Sequence, residues 1–169
     1  SAASDVYKRQ FLGGAQIDKY ANLNSTVIGS HAKPKIRLPG SGGANDLASH
    51  SPRILIITRH EIRRFPERCD YITSPGYLTG PDARKRAGLP VPYPDISVIT
   101  DMCVMEIDRS TGTLGVSKLV PGISFGAVQE STGFKLSAPE DIPSVEPPSK
   151  DVLKLLRREV DPNRVYLRA

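Results

Sequence analysis

The chain has 169 residues, enough for one domain that buries a core without disulfide or metal staples. Hydrophobic residues make up 38% and charged residues 24%, the balance of an ordinary globular protein, and no apolar run approaches the ~20 residues of a membrane span. The formal net charge is +5, but with no Trp and 6% aromatics the chain lacks the stacking platform of a single-strand nucleic-acid binder. The positive charge is scattered. Its densest cluster, Arg59, His60, Arg63, Arg64 and Arg68, is interleaved with Glu61 and Glu67. A solvated mixed-charge face explains such a cluster best, with a phosphate-bearing ligand second. Cys69 and Cys103 have no metal or redox spacing and sit in apolar stretches, so they read as reduced core thiols of a cytoplasmic protein.

The first ten residues join poorly to the rest. Asp5 to Gln10 resembles the translated end of a sequencing-transposon adapter, so residues 1–10 are expected to be a non-native leader. Setting them aside leaves 21 Lys+Arg and 17 Asp+Glu, a net charge of +4. The remainder, 11–169, then starts inside a hydrophobic segment and is expected to be the C-terminal portion of a longer domain.

Phe11 to Ile17 is apolar and broken by Gly13-Gly14, which predicts a buried strand ending near Asp18. Asn22 to Thr26 is turn-forming, and Val27-Ile28 and Lys33 to Leu38 are strand-like. Pro39-Gly40-Ser41-Gly42-Gly43 leads into a helix from Ala44, with Asn45 and Asp46 near its cap. Ile54 to Thr58 is the clearest strand, apolar throughout and so expected to be covered on both faces. Cys69 to Thr73 reads as another strand. Ser74 to Pro94 is a long loop with five prolines, of the kind that carries function, with one helical turn at Asp82 to Arg86. Ile96–Thr100, Cys103–Ile107 and Leu114–Leu119 form a predicted β-meander. Ser124–Thr132 is helical up to Gly133, Pro139–Pro148 is a Pro-rich connection, and Ser149 caps a last helix ending at Asp161-Pro162. Val152, Leu153, Leu155, Leu156 and Val160 form one broad face of that helix. Strands interleaved with helices, then a meander, predict an α/β domain with a mixed sheet.

The glycine loop carries the most chemistry. Three glycines before a helix permit positive φ and close backbone approach, and a helix start presents unpaired N–H groups. Such a loop cradles a phosphate, a carboxylate or a developing oxyanion, or is simply a tight strand-to-helix turn. It is neither a Walker loop nor a dinucleotide fingerprint. Ser41 lacks the setting of a nucleophile elbow, and His31, His50 and His60 lack metal-ligand spacing, so no metal is expected. His60 and Glu61 with the nearby arginines read as surface ion pairs ahead of a polyanion site.

In order along the chain, Gly13-Gly14-Ala15-Gln16-Ile17-Asp18, Tyr20, Asn22 to Thr26, Gly40 to Asn45, His60 to Phe65, Asp70 to Gly76, Gly80-Pro81, Arg84, Gly88 to Pro90 and Glu130 to Phe134 resemble the motif series of family I coenzyme A transferases, β-type subunits of the glutaconate kind. Ala21 stands where that family usually has Gly, so this turn is expected to differ, and Ile62 where it has Lys. The resemblance implies the α/β fold of coenzyme A transferases and an α-type partner subunit. It implies transfer of coenzyme A between carboxylic acids through a glutamyl thioester, with the acyl-coenzyme A as substrate and no permanent cofactor. It places the attacking glutamate upstream of Phe11 and gives Gln16, Asn24, Gly40, Gly42, Gly43, Ala44 and Asn45 roles in binding coenzyme A or substrate. Two alternatives remain: a ring-opening hydrolase subunit on the same scaffold, and a non-enzymatic module that binds anions or nucleic acid.

Overall fold

The computed structural model describes residues 8–165. Most of the expected leader therefore lies outside the described residues. Among the described residues, nine strands and four α-helices follow in chain order: β1 Gln10–Leu12, β2 Gln16–Ile17, β3 Leu23–Asn24, β4 Val27–Gly29, β5 Pro34–Arg37, α1 Ala44–His50, β6 Arg53–Ile57, α2 Ala83–Arg86, β7 Asp95–Ile99, β8 Cys103–Asp108, β9 Thr113–Leu119, α3 Phe125–Glu130 and α4 Lys150–Leu155. The main sheet has the order β1-β6-β7-β8-β9. β1, β6 and β7 are parallel, and β8 and β9 complete it antiparallel. This is the mixed sheet with a terminal meander that the hydrophobic pattern predicts.

The topology decides which face is covered. The connections β1 to β6 and β6 to β7 both step the same way along the sheet, and right-handed crossovers then lie on one face. That face carries Ile54, Ile56, Ile96, Val98, Cys103, Met105, Leu114 and Val116, packed with Ile17, Leu23, Phe65, Tyr77, Val128, Phe134 and Leu136. On the opposite face Phe11 is 66% and Ile57 60% exposed. The expectation that β6 is covered on both faces is thus corrected: alternate residues of this apolar strand point away from the core.

Other expectations change for local reasons. The run Phe11–Ile17 is two strands, because the Gly13-Gly14 break sends β2 away to pair with β3. Asn22 to Thr26 is no surface turn: Asn22, Leu23 and Asn24 are buried, with β3 supplying Leu23 and Asn24. Cys69 to Thr73 is not a strand. Its N–H groups serve the loop instead, Asp70 donating to the Gln16 side chain and Thr73 to the Leu23 carbonyl. The cap of α1 is Gly43, without a side-chain cap bond. Ser124 and Ser149 do cap α3 and α4, accepting from the Ala127 and Val152 amides. The last helix continues as a wider π turn over Leu156–Val160, and Val152, Leu155 and Val160 remain 46%, 48% and 64% exposed. Cys103 lies in the core as expected, whereas Cys69 is only partly covered.

Candidate functional site at the glycine loop

In parallel α/β sheets ligands bind outside the carboxyl ends of the strands. Helix α1 leads through Ser51-Pro52 directly into β6, so it runs back along the sheet and its start lies at that carboxyl end. The loop Gly40–Gly43 stands there. Gly40 has φ +93° and Gly42 φ +48°, conformations that favour glycine. Added β-carbons on Gly40, Gly42 or Gly43 would meet nothing within 4 Å. The chain itself therefore leaves the space beside these glycines open.

A polar buttress holds the loop. The Gly40 N–H donates to the Ser25 carbonyl at 2.8 Å and the Ser25 hydroxyl donates to the Gly40 carbonyl at 2.9 Å. Thr73 Oγ1 accepts from the Ser25 N–H at 2.9 Å and lies 2.7 Å from Thr26 Oγ1. The Asn45 amide donates to the Thr73 carbonyl at 2.8 Å. The Ala44 N–H closes a turn onto the Ser41 carbonyl at 2.8 Å, which leaves Ala44 a wall and not a donor. The N–H groups of Ser41, Gly42 and Gly43 have no acceptor among the described residues. Three adjacent free donors beside open space can hold an oxyanion or a thioester oxygen.

Gln16 and Asn24 shape this region from beneath. Asn24 is fully buried. Its amide donates to Gln16 Oε1 at 2.7 Å and to the Val27 carbonyl at 2.6 Å, and its oxygen accepts from the Thr26 and Val27 N–H groups. Gln16 Nε2 donates to Asp70 Oδ2 at 3.0 Å. Asn22, also fully buried, accepts from the Gly76 and Leu78 N–H groups and donates to Asp18 Oδ2 and the Leu78 carbonyl. Burial raises the Asp18 carboxyl above its ordinary range, against the lowering effect of its bonds from Asn22 and Tyr20. Burial likewise pushes the Cys69 thiol far up, so it is no nucleophile at neutral pH. The motif stretches 13–26 and 70–78 are therefore stitched to each other, and the glycine loop stands on them with free backbone donors.

The basic cluster divides in two. His60 is not a surface ion-pair residue: it is 7% exposed, stacks on Phe65 at 4.5 Å and lies between Thr100 Oγ1 and Thr132 Oγ1 at 3.1 and 2.9 Å. Glu61 does form surface ion pairs, with Arg63 at 2.6 Å and Arg64 at 3.4 Å. No group of three or more His, Cys, Asp or Glu side chains among the described residues is placed to hold a metal. Sequence reading missed the Ser25, Thr26 and Thr73 buttress. Its signal was the hydroxyl residues inside two of the motifs, which gain meaning only once the motifs meet in space.

Residues 4–131 match the family model "Coenzyme A transferase". The chain is 42% identical over 157 residues to the B-type subunit of glutaconate CoA-transferase from Acidaminococcus fermentans, covering 93% of this chain and 58% of that protein. It is 40% identical over 147 residues to the B-type subunit of 3-oxoadipate CoA-transferase from Pseudomonas knackmussii, covering 87% and 56%. The chain thus spans a little under three fifths of the length of these two relatives. The crystal structure of glutaconate coenzyme A-transferase from A. fermentans superposes with a TM-score of 0.89 at 41% identity, over 95% of this chain and 61% of that one. With the motif order, the mixed sheet and the family match in agreement, the chain belongs to the coenzyme A transferase family.

Proposed function

We propose that the chain is part of the β-type subunit of a heteromeric coenzyme A transferase of the glutaconate type, working with an α-type subunit in the cytoplasm. The observation that carries this reading is the glycine loop, with free N–H groups at Ser41, Gly42 and Gly43 beside open space. In the reaction a glutamate carboxylate attacks the acyl thioester carbon, and its carbonyl oxygen becomes an oxyanion. Expelled coenzyme A thiolate then attacks the resulting anhydride, which releases the first acid and leaves a glutamyl thioester for the second acid to reverse. The loop's donors would hold the thioester oxygen, strongest as its charge develops. The neighbours that hydrogen bonding places at the loop are Ser25, Thr26 and Thr73, none of them a glutamate. Glu61 is occupied by Arg63 and Arg64. The attacking carboxylate in this reading is the glutamate that the motif resemblance implies upstream of Phe11. Transfer is preferred to ring-opening hydrolysis because the relatives sharing 40–42% of their residues with the chain are both named as transferases.

Gly43 supplies the test. Its φ of −86° suits alanine and an added β-carbon meets nothing, so Gly43→Ala keeps the fold. Titration of the 15N-labelled chain with glutaryl-coenzyme A is expected to shift the amides of Ser41 to Gly43, and Gly43→Ala to weaken that binding by about tenfold or more. Unmoved loop amides would overturn the reading. A glutamyl–coenzyme A thioester found on this chain after mixing with an α-type subunit would overturn the upstream placement of the glutamate.

A further inference from the structure

One residue reaches both ends of the glycine loop. At the entrance, Ser25 uses all three of its polar groups. Its carbonyl and hydroxyl make the two bonds to Gly40, and its N–H donates to Thr73 Oγ1 at 2.9 Å. At the exit, the Asn45 side-chain amide donates to the Thr73 carbonyl at 2.8 Å. Thr73 is itself tied to the core. Its N–H donates to the Leu23 carbonyl at 2.8 Å, and the Leu23 N–H donates to the Ser74 carbonyl at 3.0 Å. Leu23 is 2% and Thr73 4% exposed. The loop is therefore held at two points by one buried residue fixed to β3.

Between those points the loop has few other restraints among the described residues. The Ser41 carbonyl accepts from the Ala44 N–H and the Gly43 carbonyl from the Leu47 N–H, both of them bonds forward into the helix that the loop starts. The glycines touch nothing on the side where a β-carbon would stand. Glycine has more backbone freedom to lose than any other residue. Three N–H groups on such a segment keep one arrangement only if its ends are fixed. Donors fixed beforehand hold an oxyanion better than donors that must be ordered as it forms.

We infer that Thr73 is the positioning residue of the glycine loop. Its hydroxyl sets the entrance through Ser25, its carbonyl sets the exit through Asn45, and the N–H groups of Ser41, Gly42 and Gly43 are thereby kept in one arrangement. Thr26 Oγ1, 2.7 Å from Thr73 Oγ1, gives that hydroxyl its second partner. That the arrangement serves a thioester oxygen rests on the transferase reading; the order of the loop does not.

The test is 15N relaxation of the ligand-free chain, read as backbone order parameters. Ser41 to Gly43 are expected near 0.85 in the parent chain and below about 0.6 in Thr73→Val, with the amides of β7 to β9 unchanged. Thr73→Ser, which keeps the hydroxyl, restores them. Asn45→Ala, which cuts the exit alone, loosens Gly43 while leaving the Ser25 amide shift in place. If Thr73→Val does not fold, Ser25→Ala and Asn45→Ala carry the same test from the two ends. Affinity for glutaryl-coenzyme A is expected to fall about tenfold in Thr73→Val and to recover in Thr73→Ser. A loop as ordered in Thr73→Val as in the parent overturns the inference. So does a Thr73→Ser loop as loose as that of Thr73→Val, or loosening that spreads equally over β7 to β9. If the loop loosens as expected while glutaryl-coenzyme A leaves the parent loop unmoved, Thr73 keeps its role and the transferase reading fails. If glutaryl-coenzyme A moves the parent loop and binds every variant equally, the transferase reading stands and this inference fails.

Discussion

Gly76 stands directly against the backbone of Ala21: a β-carbon on Gly76 would fall 2.3 Å from the Ala21 carbonyl carbon and 2.3 Å from the Tyr20 oxygen. Asn22 fixes this approach by accepting from the Gly76 and Leu78 N–H groups at 2.9 and 3.0 Å. The Tyr77 N–H also donates to the Tyr20 carbonyl at 2.7 Å. The two motif stretches are thus in backbone contact, and both atoms that a side chain at 76 would strike are immobile.

Gly76→Ala is therefore expected to cost about 3 kcal/mol or more in unfolding free energy, the upper end of overpacking effects. Urea denaturation followed by circular dichroism measures it. A loss under about 0.5 kcal/mol would show that the two segments part easily.

Ala21 is one of two departures from the family pattern, and it takes the positive φ that its methyl disfavours. The residue has φ +57° and is 2% exposed. The left-handed conformation costs a non-glycine residue roughly 1–2 kcal/mol. Burial of its methyl returns about 0.8 kcal/mol, and the smaller entropy of its unfolded chain returns about 0.4–1 kcal/mol. These terms nearly cancel, which is why alanine is tolerated. Ala21→Gly is expected to change stability by less than about 1 kcal/mol, whereas Ala21→Val, β-branched and crowded, loses over about 2 kcal/mol in the same assay.

Much of this architecture was readable in advance. The meander at 95–119 follows from alternation, because Ile96, Val98, Met105, Leu114 and Val116 point to one core. The helix starts at Ser124 and Ser149 follow from capping chemistry. Hidden from sequence were the buried polar residues. Asn22 and Asn24 look like turn residues because their type favours turns, yet both are buried, where Asn22 bonds the distant Gly76 N–H and Asn24 bonds Gln16, Thr26 and Val27 close by. His60 was hidden for the same reason: its charged neighbours set the local pattern while its own ring is claimed by residues 40 and 72 positions away. Of the expected site residues, the glycines stand open and Gln16 lines a cavity, while Asn24 works from below.

His60 makes the fold sensitive to acid. Thr100 Oγ1 accepts the Met102 and Cys103 N–H groups, donates to the Cys103 carbonyl at 3.0 Å and lies 3.1 Å from His60 Nδ1. Nε2–H then donates to Thr132 Oγ1, which donates to the Val128 carbonyl at the end of α3. Burial lowers the His60 pKa from its ordinary 6.5. The unfolded chain then binds a proton that the folded chain does not. Stability falls as pH drops below 6.5 toward the folded value. Asp18, raised by burial, acts in the opposite sense at lower pH, because there the folded chain takes up the proton first. The urea midpoint is expected to be lower at pH 5.5 than at pH 7.5, and His60→Gln to flatten that difference. An unchanged slope in the variant would exonerate the histidine.

Arg84 ties the glycine-loop helix to the rest without any acidic partner. Fully buried, it donates to the carbonyls of Val91, Pro75, Gly76, Ala48 and Ser49 at 2.8–3.3 Å. Burial draws its pKa down to about 10, which leaves it charged at neutral pH. Ala48 and Ser49 end α1, while Pro75 and Gly76 belong to the loop packed on Ala21, so one planar fork sets the two segments relative to each other. Methionine fills similar space but donates nothing, and each carbonyl left buried and unpaired costs about 1–3 kcal/mol. Arg84→Met is expected to unfold the chain at room temperature. Lysine, with three donors on a point charge, is expected to fold but to lose amide-exchange protection in α1 first. If the lysine variant exchanged uniformly faster across the core and α1 alike, Arg84 would be a general core residue and not the specific tie between α1 and residues 75–76.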